Sequence, residues 1–130
     1  MIHEEICTYE VCKLAKEKGF PQHIGDDAYI VENEYDDKYE VGCYYPIQFI
    51  PDYLPTITAP TQSLLQRWLR EEKRIHMAVF PNITNTFKFY YIVYNKGDKF
   101  WKPIYITHSD FTTYELALED ALKYALENLV

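Results

Sequence analysis

The spacing of apolar residues changes period partway along the segment that opens at Pro60. Leu64, Leu65, Trp68 and Leu69 recur at helical intervals, with Gln62, Gln66, Arg67, Arg70 and Lys73 facing away. Thr61 or a neighbour is the expected cap, and Lys73-Arg74 complement the negative end of the helix dipole. From Ile75 the pattern becomes strict alternation, Ile75, Met77 and Val79 against His76, Ala78 and Phe80, which is the period of a strand. A polar turn cluster over 81–86 follows. The segment 87–94 is apolar on both faces, with Phe87, Phe89, Tyr91 and Val93 on one and Tyr90, Ile92 and Tyr94 on the other. Asn95-Lys96-Gly97-Asp98 reads as a hairpin turn, and 99–107 as the returning strand. Pro103 has no N–H for a ladder, so that strand sits on an edge or carries a bulge.

The chain closes on a helix. Thr112 with Glu115 forms a capping box, and Phe111 is placed to staple against Leu116. Tyr114, Leu118, Ala121, Leu122, Ala125 and Leu129 form its expected buried stripe. Ahead of residue 60 the pattern is less regular. Cys7, Val11, Leu14 and Ala15 share one face of a predicted helix over 6–18, ended by Gly19. Strands are expected at 28–31 and 39–45, and the proline-punctuated aromatic segment 43–57 is expected as an extended arm laid over the rest of the domain. The prediction is an α+β protein forming one domain over 1–130. Residues 1–59 give an N-terminal helix and an irregular or strand arm. From residue 60 the order is helix–three strands–helix, a three-stranded antiparallel sheet with helices packed on one face.

Composition narrows the class. The 130 residues suit one compact domain with its own core, 48% of them being hydrophobic. The net charge of -7 argues against a general nucleic-acid coat protein. It is unevenly distributed: residues 1–40 hold eleven acids against four bases, while 76–109 hold Lys88, Lys96, Lys99 and Lys102 against Asp98 alone. Three cysteines without a C-x-x-C spacing fit a reducing cytoplasm better than a disulfide scaffold. The first residues lack a signal-peptide pattern and no apolar run is long enough for a membrane span, so a cytoplasmic location is expected.

Catalytic chemistry finds no pattern to rest on. The four glycines are scattered, with no phosphate loop among them, and His3, His23, His76 and His108 lack metal-ligand spacing. His108-Ser109-Asp110 holds three triad residue types, but neighbours on a strand point apart. The acids over 26–40 lack the alternation and glycine of a calcium loop. No catalytic, cofactor or metal residues are therefore assigned. One stretch carries binding chemistry: Tyr90, Tyr94, Trp101 and Tyr105 with Lys88, Lys99 and Lys102, where aromatics can stack and lysines can track phosphates. The order of elements is also that of the double-stranded-RNA-binding domain. That domain opens its last helix with basic residues, where this chain has Thr112-Thr113-Tyr114-Glu115.

The run Pro60-Thr61-Gln62-Ser63-Leu64-Leu65-Gln66-Arg67-Trp68-Leu69-Arg70-Glu71 with Ile75-His76-Met77 resembles a family of short proteins from Bacteroides-type gut bacteria, their prophages and mobile elements. Lys16-Glu17-Lys18-Gly19-Phe20 and Thr113-Tyr114-Glu115 with Ala117-Leu118-Glu119 are similar to its opening and closing segments. The resemblance implies a mobile-element origin and carries no activity or site residue. The expected function is non-enzymatic and works by protein–protein interaction, with self-association as a homodimer included. The alternative is a nucleic-acid accessory protein binding through the hairpin 88–102.

Overall fold

The computed structural model describes residues 4–34, 36–84 and 87–130. The fold is α+β, with three helices and two three-stranded antiparallel sheets. Two compact units divide the chain: Ile6–Thr61 forms an amino-terminal unit, and Met1–Glu5 with Gln62–Val130 forms a carboxy-terminal one.

In the amino-terminal unit, helix α1 (Tyr9–Glu17) begins where the Thr8 hydroxyl accepts from Val11 N–H at 3.3 Å. It ends in a Schellman turn. Gly19 takes φ 96°, its N–H donates to Lys16 O and the Phe20 N–H donates to Ala15 O. The helix starts later than its apolar spacing predicts, because Thr8 caps it. Cys7 lies upstream, buried, with its N–H on Pro60 O at 2.9 Å. Strand β1 (Asp27–Ile30) is central, between β2 (Tyr44–Pro46) and β3 (Thr56–Thr58). Tyr29 faces α1, donating its hydroxyl to Cys7 O at 2.6 Å and packing against the Tyr9 ring.

Two expectations change here. The strand predicted over 39–45 is reduced to Tyr44–Pro46, because Gly42 adopts φ 83° and turns the chain ahead of it. The segment expected as an extended arm contributes β2 and β3 to the amino-terminal sheet. Its prolines bracket the strands: Pro46 ends an edge strand and Pro55 precedes β3.

In the carboxy-terminal unit, helix α2 (Gln62–Glu72) buries Gln62, Leu65 and Leu69, while Leu64 and Trp68 are half-buried. Gln62 was expected to face away from the core. Instead its Nε2 donates to Glu115 O and Glu119 Oε1, both at 2.9 Å, as a buried amide requires. Gln66 likewise reaches Met77 O at 2.8 Å. Arg74, at φ 58°, turns the chain into β4 (Ile75–Pro81). Strand β4 pairs along its whole length with β5 (Phe89–Lys96), and β6 (Trp101–Ile106) forms the other edge of the sheet. The hairpin turn falls two residues later than predicted, with Gly97 N–H donating to Phe100 O. Both readings of Pro103 hold. Strand β6 is an edge, and a bulge separates the pair Val93–Tyr105 from the pair Tyr94–Pro103.

Helix α3 (Tyr114–Asn128) packs on this sheet. Its cap is Thr113, one residue beyond the predicted Thr112, and the Thr113 hydroxyl accepts from Leu116 N–H at 3.1 Å. Glu115 therefore cannot complete a capping box, and Leu116 is exposed rather than stapled. The buried stripe rotates to match: Ala117, Leu118, Ala121, Leu122, Ala125 and Leu126 are in, and Tyr114 is out. Burying each of the three leucines contributes roughly 1.5–3 kcal/mol.

Two predictions follow from buried polar groups in this unit. Gln62→Ala removes the buried amide that donates to Glu115 O and Glu119 Oε1, and should lower unfolding free energy in urea by about 1–2 kcal/mol. Tyr91 is buried with its hydroxyl donating to Asp120 Oδ2 at 2.8 Å. Burial first, and the Asp120 carboxylate second, raise its pKa well above the ordinary phenol range. The folded state therefore holds the proton that the unfolded chain releases. This contribution is intact below about pH 10 and is lost as pH rises above it. The urea midpoint should fall more steeply with alkaline pH in the native chain than in Tyr91→Phe.

Candidate functional site

The carboxy-terminal sheet has two unlike faces, and register decides which residues join each. Met77, Tyr91 and Val93 are buried on the side that takes α3, and the half-buried Tyr105 lies on that side too. Alternation sends their neighbours to the opposite side. There the cross-strand rows are Phe80 with Tyr90, Ala78 with Ile92 and Ile106, His76 with Tyr94 and Pro103, and Lys96 with Trp101. Phe80 and Tyr90 stack at 5.6 Å, and Trp101 lies 5.9 Å from the His76 ring. Lys96 sits over the Trp101 indole at 6.0 Å, within cation–π range. Trp101 is 38% and Ile106 50% exposed, and Phe100 in the adjoining turn is 78% exposed.

The structure separates the seven residues singled out in the sequence. Tyr90, Tyr94 and Trp101 share the open face. Tyr105 was expected with them and is not: it lies on the helix side, its ring stacked on Tyr124 at 4.0 Å and 6.0 Å from Tyr91. The bulge at Pro103 is the cause, since one extra residue reverses the alternation beyond it. The same reversal brings Ile106 onto the open face, and the expected bulge was the signal that could have placed it there. Lys99 is exposed in the turn, and Lys102 pairs with Asn95 on the side away from Trp101. Lys88 lies at the far end of β5 with its carbonyl held by Asn82 N–H at 2.8 Å, roughly 27 Å along the strand from Lys96. The lysines are thus one basic tip and one remote charge, not a continuous track.

Among the described residues, the other chemistry-bearing side chains do not assemble. Ser109 N–H donates to Thr107 Oγ1 and Asp110 accepts from Asn82 Nδ2, which makes the His108-Ser109-Asp110 run part of loop structure. Among the described residues no three His, Cys, Asp or Glu side chains group as a metal site. The cysteines are free thiols; Cys7 and Cys12 are buried, and Cys12 Sγ is directed at Cys7 O at 3.6 Å. No helix among the described residues is long and apolar enough to cross a membrane.

One polar atom on the open face is unsatisfied. His76 Nδ1 is buried and has no hydrogen-bond partner among the described residues. Burial, then the Arg70 charge, lower the pKa of this imidazole. The chain matches no protein-family model, no curated protein and no solved structure.

The His76 shift has a checkable sign. The folded state favours the neutral ring, so its contribution is present above about pH 6.5 and is lost as pH falls through the lowered value. The melting temperature should fall on mild acidification, and His76→Phe should reduce that dependence. An NMR titration should place the His76 midpoint below that of an unfolded-chain histidine.

Proposed function

We propose that the chain is a non-enzymatic, cytoplasmic interaction protein of the phage or mobile-element type, and that the open face of the carboxy-terminal sheet receives a protein partner. The observation that carries this reading is the row of aliphatic and aromatic side chains from Phe80 to Trp101 on the face opposite α3. A contiguous apolar surface of this kind is seldom left without use. The central row, Ala78, Ile92 and Ile106, is aliphatic, and aliphatic side chains suit a protein surface better than nucleobases, which need rings to stack on.

Charge selects among protein partners. Lys96 and Lys99 border the Trp101 end, in a chain of net charge -7. A two-fold pairing centred there sets the same lysines of two copies against each other, which like charges oppose. An apolar surface with an acidic rim is the better complement. The second reading, single-stranded nucleic acid, draws on Phe100 and Trp101 beside lysines at the hairpin tip.

A photo-crosslinking amino acid at position 101, introduced in the producing cell, tests these together with light scattering and oligonucleotide titration. The expected result is a monomer near 15.5 kDa and one dominant protein adduct. Ile106→Asp should weaken that association by roughly tenfold or more. A dimer dissolved by Ile106→Asp would replace the partner with a second copy. Oligonucleotide binding at low salt, lost on Trp101→Ala, would move the assignment to nucleic acid.

A further inference from the structure

The amino-terminal unit has its own preformed cavity, of about 200 Å³. Pairing places Ala28 beside Thr58, on the side of the sheet opposite Tyr29, which packs with α1. Ala28, Thr58 and Leu54 are among the cavity's lining residues and are each at most 6% exposed. Both walls are fixed by hydrogen bonds. On one side His23 is held at φ 68°, its N–H donating to Thr58 Oγ1 at 2.7 Å. Gln22 accepts from Thr58 N–H at 3.0 Å and donates to Phe20 O at 3.0 Å. On the other side Ile47 N–H is bound by Asp26 O and Ile50 N–H by Ile47 O. A non-glycine residue in the left-handed region is costly, and the bond to Thr58 holds His23 there.

The chemistry of the lining narrows the ligand. Gln22 and Thr58 spend polar groups in building the walls, and Ala28, Ile50 and Leu54 supply apolar surface between them, so the lining is mixed. Asp52 lines the cavity and is exposed, the one acidic residue in the lining. The surroundings reinforce that sign. Residues 6–61 hold ten acids against four bases, and the remainder ten against nine, so the net -7 divides into -6 and -1. A field of this sign concentrates cations.

We infer that this cavity is a binding site for a small amphipathic amine, whose apolar body enters against Ala28, Ile50 and Leu54 and whose ammonium group lies beside Asp52. The volume admits a body of about one ring, below the drug-sized range. This site is independent of the sheet face assigned above.

The test uses benzylamine, benzyl alcohol and benzoate, three probes of one shape and different charge. Each is titrated into the full isotope-labelled chain above the imidazole titration range. Benzylamine should shift the Ala28, Ile50 and Leu54 resonances saturably, and bind roughly threefold or more tightly than the alcohol, with benzoate weakest. Asp52→Asn, an exposed change whose folding the same spectrum reports, should bring the amine down to the alcohol. In the unaltered chain, added salt should erase the amine's advantage. Equal affinity for amine and alcohol overturns the inference, as does an amine preference that survives both Asp52→Asn and high salt. Absence of saturable shifts with all three probes overturns it too.

Discussion

Packing of α3 against the β4–β5 surface is the contact on which the carboxy-terminal unit depends. Three alanines, Ala117, Ala121 and Ala125, let the helix approach the sheet closely, and three leucines, Leu118, Leu122 and Leu126, fill the space beside them. Tyr91 crosses this layer and ends on Asp120, so even its polar tip is anchored to the helix. Once α3 claims one side of the sheet, strand alternation leaves no choice about the other. Phe80, Tyr90, Ile92 and Tyr94 are directed away from α3 because Met77, Tyr91 and Val93 are directed towards it.

Most of this was legible in the residues. The switch from helical to strand spacing at Ile75, the apolar faces of β5 and the turn at Gly97 gave the order of elements and the side taken by α3. What sequence spacing could not supply was the outcome of local competitions. Thr112 and Thr113 are both good caps, and only the pairing of Phe111 with Phe89 fixes where the helix begins. Gln62 reads as a solvent-facing amide until Glu115 and Glu119, more than fifty positions away, are brought to it. The region 21–59 is the least legible because its strands are three or four residues long. That is too short for a periodicity to emerge above the prolines and tyrosines around them.

The candidate surface was legible in its residue types and only partly in its membership. Tyr90, Tyr94 and Trp101 fall on it by simple alternation, while Tyr105 and Ile106 exchange places because of one residue at the bulge. The cavity of the amino-terminal unit left no comparable trace, since its lining comes from four separate stretches with no shared spacing. Charge behaves differently again. The acidic character of 6–61 is plain in the sequence, but its use depends on a cavity that only folding creates.

The outer edge of β6 has a bearing on the kinds of assembly open to this protein. An evenly spaced row of free N–H and C=O groups invites another chain to add itself as a further strand, and such growth has no natural end. Pro103 removes one donor from that strand, and the bulge beside it breaks the spacing of the others. Lys102 adds a charge that an incoming strand would have to desolvate. Extension of the sheet from this side is thereby discouraged. A complex formed on the open face instead uses up the surface that formed it, and so is finite in stoichiometry.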